Sequence, residues 1–88
     1  MARFSLVAVN YNNAKYTKIM IESLLCVIDS IDSIIIVDNA SEEADYNNLI
    51  EYRDQMGSEK LLLVKSEENI GYFPGLNLGL KYLSRKTS

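Results

Sequence analysis

Ile34-Ile-Ile-Val-Asp-Asn-Ala-Ser41 is the stretch on which the fold of this chain turns. Residues 34–37 are too few and too rich in β-branched side chains for a helix, whose preceding turn restricts such side chains at χ1. An apolar run with no polar alternation reads as a strand buried on both faces, the pattern of parallel sheets covered by helices above and below. Asp38, Asn39 and Ser41 close it.

Upstream, residues 4–9 form a second short apolar run, closed by Asn10-Tyr-Asn-Asn13, and read as another buried strand. Between the two, Tyr16, Ile19, Met20, Ser23, Leu24 and Val27 fall on one helical face, in a helix starting near Asn13 or Ala14. Residues 29–33 are a polar break. Downstream, Ser41 is placed to cap a helix whose first turn holds Glu42, Glu43 and Asp45. Tyr46, Leu49, Ile50 and Arg53 supply the inward stripe of that helix, and Gly57 stops it. A third strand over residues 61–64, a loop over 65–71 and a final helix over about 74–83 complete the chain, with Pro74 suited to a first helical turn. The order β-α-β-α-β-α predicts an α/β fold: a three-layer parallel sheet with right-handed crossovers.

The 88 residues fit one small domain, which hides only about 60 to 65% of the surface of its unfolded chain. A formal charge of -3 without blocks of like charge argues against nucleic acid as a partner. The single cysteine, Cys26, excludes an internal disulfide and a cysteine-based metal site, and suits a reducing compartment. With no histidine, Ser/His and Cys/His catalytic pairs are excluded as well. No apolar run approaches the ~20 residues of a membrane span, and the N-terminal residues lack signal-peptide character. The expected location is the cytoplasm, or the cytoplasmic face of a membrane.

Ligands of an open parallel sheet bind beyond the carboxyl ends of the strands. Three polar clusters fall there: Asn10, Tyr11 and Asn12; Asp38, Asn39 and Ser41; and Glu68, Asn69 and Gly71. Tyr11 offers a face on which a base can stack, and Asp38 or Asn39 can accept hydrogen bonds from a base N–H or a ribose hydroxyl. The run Asn69-Ile-Gly-Tyr-Phe-Pro-Gly-Leu-Asn-Leu-Gly79 spaces three glycines where backbone approaches something closely, either a ligand or the sheet itself. Its helix start presents N–H groups to an anion. Glu42, Glu43, Glu67 and Glu68 read as solvated surface acids, and no residue is read as catalytic.

The segments Ser5-Leu-Val-Ala-Val-Asn-Tyr-Asn12, Ile34 to Ser41 and Glu68 to Gly79, in this order and spacing, resemble glycosyltransferase family 2, most closely its rhamnosyltransferase-like members. The resemblance implies the N-terminal, nucleotide-binding half of a Rossmann-like GT-A fold over residues 1–84, with a polar tail at 85–88. It implies a nucleotide-diphosphate sugar as donor and a glycan, lipid-linked or other hydroxyl acceptor for the complete enzyme. Tyr11 would lie beside the base, Asp38 and Asn39 at the base and ribose, and Asn69, Gly71, Gly75 and Asn77 on the far side of the pocket. Uridine-specific relatives often carry a second Asp where this chain has Asn39.

The family's Asp-x-Asp motif, which binds Mg or Mn, and its catalytic base do not occur before Ser88. This chain is therefore expected to hold no cofactor of its own and to bind without catalysing, and its first strand to be a sheet edge through which copies self-associate. A non-catalytic nucleotide-binding or interaction module is the other reading. A phospho-accepting receiver is disfavoured, because asparagines follow the first strand and Val-Lys-Ser ends the third.

Overall fold

The computed structural model describes residues 3–87, with side chains described through residue 84. Residues 1, 2 and 88, which belong to the expected division at residue 84, lie outside the described residues. Strand β1 (Phe4–Asn10) leads to helix α1 (Ala14–Leu24) and a 3-10 turn (Leu25–Ser30). Then come β2 (Ile31–Asn39), α2 (Glu43–Met56), β3 (Leu61–Ser66) and α3 (Tyr72–Thr87). The three strands are parallel in the order β1-β2-β3, so the expected α/β class and layering are found. Strand β1 lies at an edge of this sheet, paired with β2 alone.

Central β2 is buried on both faces, with Ile31 and Ile34, Ile35, Ile36 and Val37 all at 0% exposure. Alternation along the strands then sorts the core into two layers. Leu6, Ala8, Ile34, Ile36, Leu61 and Leu63 meet α1 and α2 through Ala14, Ile21 and Leu49. Val7, Val9, Ile35, Val37, Leu62 and Val64 meet α3 through Leu78 and Leu83. The α3 layer is thin because Gly75 and Gly79 bring the helix backbone onto the sheet. A Cβ at Gly75 would sit 3.0 Å from Val9 Cγ2, and one at Gly79 would overlap the Val7 methyl.

Several local expectations are corrected. The break at 29–33 is shorter than its polarity suggests, because a bulge between Phe4 and Ser5 lets exposed Asp32 point out while Ile31 and Ser33 face in. In α1 the buried positions are Ala14, Thr17 and Ile21, and Tyr16 and Ile19 of the expected stripe are exposed. In α2 only Leu49 of the expected stripe is fully buried, and Tyr52 and Met56 complete the inward face. Ser41 does not cap α2, whose N-cap position is Glu42 and has no side-chain cap bond. Gly57 ends α2 as expected, in the left-handed region at φ 64, its N–H donating to the Arg53 carbonyl. Helix α3 starts at Tyr72, before the expected 74, and continues to Thr87 through most of the polar tail. No helix among the described residues is long and apolar enough to cross a membrane.

Candidate functional site

All three polar clusters meet at the carboxyl end of the sheet, but strand alternation divides them into two sets. Asn10 is in register with Asp38, and Asn39 with Ser66. Asn10 and Asp38 continue the row of Ala8 and Ile36 under α1 and α2, whereas Asn39 continues the row of Val37 on the α3 side.

The first set is a closed hydrogen-bond network. The Asn10 amide nitrogen donates toward Asp38 Oδ1 (2.9 Å), Asp45 Oδ2 (3.0 Å) and Ser41 Oγ (3.2 Å), and its carbonyl accepts from Thr17 Oγ1 (2.6 Å). Asp38 Oδ2 accepts from the Ser41 N–H (3.1 Å), so both oxygens of this wholly buried carboxylate are engaged. Asp45 Oδ1 accepts from the Ala14 N–H (3.0 Å), supplying α1 with the cap that Asn13 does not give. Asn12, in the left-handed region at φ 49, donates its N–H to Ser41 Oγ (2.9 Å) and accepts the Glu42 N–H on Oδ1 (2.8 Å). The two loops thus tie off each other's helix N-termini. Of the residues expected to meet a nucleotide, Asn10 and Asp38 lie at 0% exposure inside this network, and Asn12 and Ser41 brace the loops above it. Asp38 is therefore buried on the α1 and α2 side of the sheet and does not line the pocket that Asn39 shapes.

The second set surrounds a pocket of about 410 Å³ lined by Val9, Tyr11, Asn13, Asn39, Asn69, Gly71 and Tyr72. Asn39 builds its wall. Its amide nitrogen donates to Asn69 Oδ1 (2.9 Å) and the Gly71 carbonyl (3.3 Å), and its oxygen accepts the Ile70 N–H (2.9 Å). Asn69 Oδ1 also accepts the Gly71 N–H (3.0 Å), while the Asn69 amide nitrogen takes no part in these bonds. The turn needs φ +87 at Gly71, a conformation that favours glycine. Tyr11 and Tyr72 stand open on the pocket, 48% and 60% exposed. Every lining side chain is uncharged.

Two other expected residues lie elsewhere. Gly75 is buried on the sheet-facing side of α3 against Val9, and Asn77 is exposed on the same helix. Asn13 and Tyr72 line the pocket without having been singled out in the sequence. Tyr72 had a signal, since it follows the positive-φ Gly71 in the same short motif. A larger cleft of about 520 Å³, lined by Glu22, Leu25, Tyr52, Gln55 and Met56, lies between the carboxyl ends of α1 and α2. Burial, and secondarily Glu22, raises the Tyr52 phenol above its ordinary value of 10.0. That cleft sits at the amino end of the strands, away from the polar rim.

An uncharged cleft with two aromatic faces and three amides suits a flat, neutral, hydrogen-bonding ring. A comparison with curated proteins finds none that matches the chain. Residues 5–86, which include all but the first residue of β1 and all but the last residue of α3, match the family described as Glycosyl transferase family 2. The chain belongs to this family.

Proposed function

We propose that these residues are the donor-nucleotide-binding part of an inverting, rhamnosyltransferase-like enzyme that moves a sugar from a nucleotide diphosphate to a glycan, lipid-linked or other hydroxyl acceptor. The observation that carries this reading is the neutral pocket at the strand ends, inside the matched span. The base lies against Tyr11, the Asn69 amide nitrogen donates to a base carbonyl, and Asn39 holds the wall that presents it. In the complete reaction a divalent metal, Mg or Mn, offsets charge on the leaving diphosphate, and a positioned base takes the acceptor's proton. Among the described residues no group of three or more His, Cys, Asp or Glu could hold a metal. We assign them neither step.

The test is an NMR titration of the chain with uridine, thymidine and guanosine diphosphates. Amide shifts at Tyr11, Asn39 and Asn69 are expected for at least one of them. Tyr11→Ala should weaken that binding by about 1 to 3 kcal/mol through lost stacking. No shift with any of the three overturns the reading.

A further inference from the structure

We propose that a second copy of this chain pairs antiparallel with β1 along its outer side, about a two-fold axis beside Val7 and Leu80, and so makes one continuous six-stranded sheet. The inference stands apart from the nucleotide reading, since the surface is the side of the sheet and not its rim.

The backbone of β1 calls for a strand. Among the described residues it pairs with β2 alone, so alternate N–H and C=O groups along its other side meet no strand. Its residues, Phe4-Ser-Leu-Val-Ala-Val-Asn10, include neither a charge nor a proline, the usual guards of an open edge. The opposite edge, β3, carries Lys65. Helix α3 runs antiparallel to β1, with Gly75 on Val9 and Gly79 on Val7. The residue after each glycine is turned a further ~100° round the helix, which on this face is toward the β1 side. Leu76 and Leu80 therefore overhang the edge, and Leu80 is left 52% exposed. Leu78, turned the other way, packs into the layer of Val37 and Val64. On the opposite face Glu22 of α1 points to the α2 side. Met20, ~160° away round that helix, lies toward β1. The edge is an uncharged strand between two apolar shoulders.

The shape fits a second copy. A Cβ at Gly79 would meet both Val7 on β1 and Val37 on β2, so α3 sits astride these two strands. Another β1 at the ordinary strand spacing of ~4.8 Å then brings the two α3 axes roughly 10 Å apart, the distance at which helices pack. A two-fold axis at Val7, the middle of the strand, sets Leu6 of one copy opposite Ala8 of the other and Ser5 opposite Val9, pairs whose side chains share a face. It also sets Leu80 against Leu80. With β1 about 23 Å long and three layers about 25 Å deep, the face is on the order of 600 Å² per copy, or ~1,200 Å² per pair, the lower end of what specific partners bury. That area supports a reversible dimer.

Sedimentation equilibrium of the chain tests this. The mean mass is expected to rise from 10.0 kDa toward twice that value between about 5 and 500 µM, and amide exchange over residues 4–10 to slow over the same range. Leu80→Glu and Leu80→Lys each set like charges across the axis and should raise the dimer Kd by at least about tenfold. An equimolar mixture of the two should recover a dimer within about threefold of the parent, because opposite charges then meet. Leu25→Glu, at another exposed leucine beside the rear cleft, should leave the Kd within about twofold. A mass that stays at 10.0 kDa over the whole range overturns the proposal. So does association that persists in both folded Leu80 variants, that Leu25→Glu abolishes, or that leaves exchange over residues 4–10 unslowed. Should neither Leu80 variant fold, the parent's mass and its exchange over residues 4–10 decide the matter.

Discussion

Replacing Gly79 by alanine tests how α3 is seated, and with it the wall of the pocket that α3 begins. The change looks favourable locally, since alanine gains about 1 kcal/mol over glycine inside a helix. Packing opposes it. The new methyl would overlap Val7 Cγ1 on β1 and reach 3.0 Å from Val37 Cγ2 on β2. Neither neighbour is the free end of a flexible side chain, because both are β-branched and held by the sheet. Relief requires α3 to lift until carbons stand about 3.5 to 4.0 Å apart, a shift on the order of 1 Å. That shift loosens Leu78 and Leu83 from Ile35, Val37 and Val64. Overpacking with such loss costs ~2 to 4 kcal/mol, so the net destabilisation is ~1 to 3 kcal/mol after the helical gain. A domain of this length commands ~4 to 13 kcal/mol in all, so the loss is large. Thermal unfolding followed by circular dichroism should show Tm lower by roughly 5 to 15 °C. Adding Val7→Ala removes the methyl in the way, and the double variant should lose less than the two single losses added together. Gly75→Ala, with its nearest contact at 3.0 Å from Val9, should cost less than Gly79→Ala. A Gly79→Ala protein as stable as the parent, or more so, would refute the seating of α3 on Val7.

Three further perturbations probe the rim and the rear cleft. Asn10→Ala strands Asp38 Oδ1, Asp45 Oδ2 and the Thr17 hydroxyl without their partner, and should cost about 2 to 4 kcal/mol in urea unfolding. Asn10→Asp, which sets a third carboxylate against the other two, should cost still more. Ala40 is held at φ 61, where a Cβ is strained, so Ala40→Gly should raise stability by about 1 kcal/mol, against the usual sign of that exchange. The raised Tyr52 phenol means that the folded state holds its proton more tightly than the unfolded chain does. Its contribution is complete below pH 10.0 and is lost as pH rises through the folded value, so Tyr52→Phe should flatten the fall in Tm above pH 10.0.

The layers and element order were legible because they rest on local physics. Four β-branched residues in a row cannot hide one face only, and Gly57 ends a helix through its own backbone freedom. Element ends were less legible, since Ile31 joins β2 only when a bulge turns Asp32 outward, a feature settled by pairing with β1. The bonds of the Ala14 N–H to Asp45 and of the Glu42 N–H to Asn12 have no local signal at all, because one acceptor comes from the first turn of α2 and the other from the loop after β1. The inward face of α2 could have been read better: Leu49, Tyr52 and Met56 follow helical spacing as well as Tyr46, Leu49, Ile50 and Arg53 do.

The separation of Asp38 from Asn39 was also within reach of the sequence. Adjacent residues of a strand face opposite sides, so the two side chains leave β2 toward different layers. The structure puts the charged member where its neighbours are an amide and a backbone N–H, and the neutral member where it shapes the pocket. The glycines of the third motif divide in the same way. Gly71 supplies a positive φ at the pocket wall, whereas Gly75 and Gly79 let α3 lie on Val9 and Val7. Each motif therefore spends some residues on holding the rim together and others on what the rim presents. On this chain the presenting residues are Tyr11, Asn13, Asn39, Asn69, Gly71 and Tyr72, none of them charged. On the proposed reading, a pocket so composed meets its ligand through ring faces and neutral hydrogen-bonding groups rather than through charge.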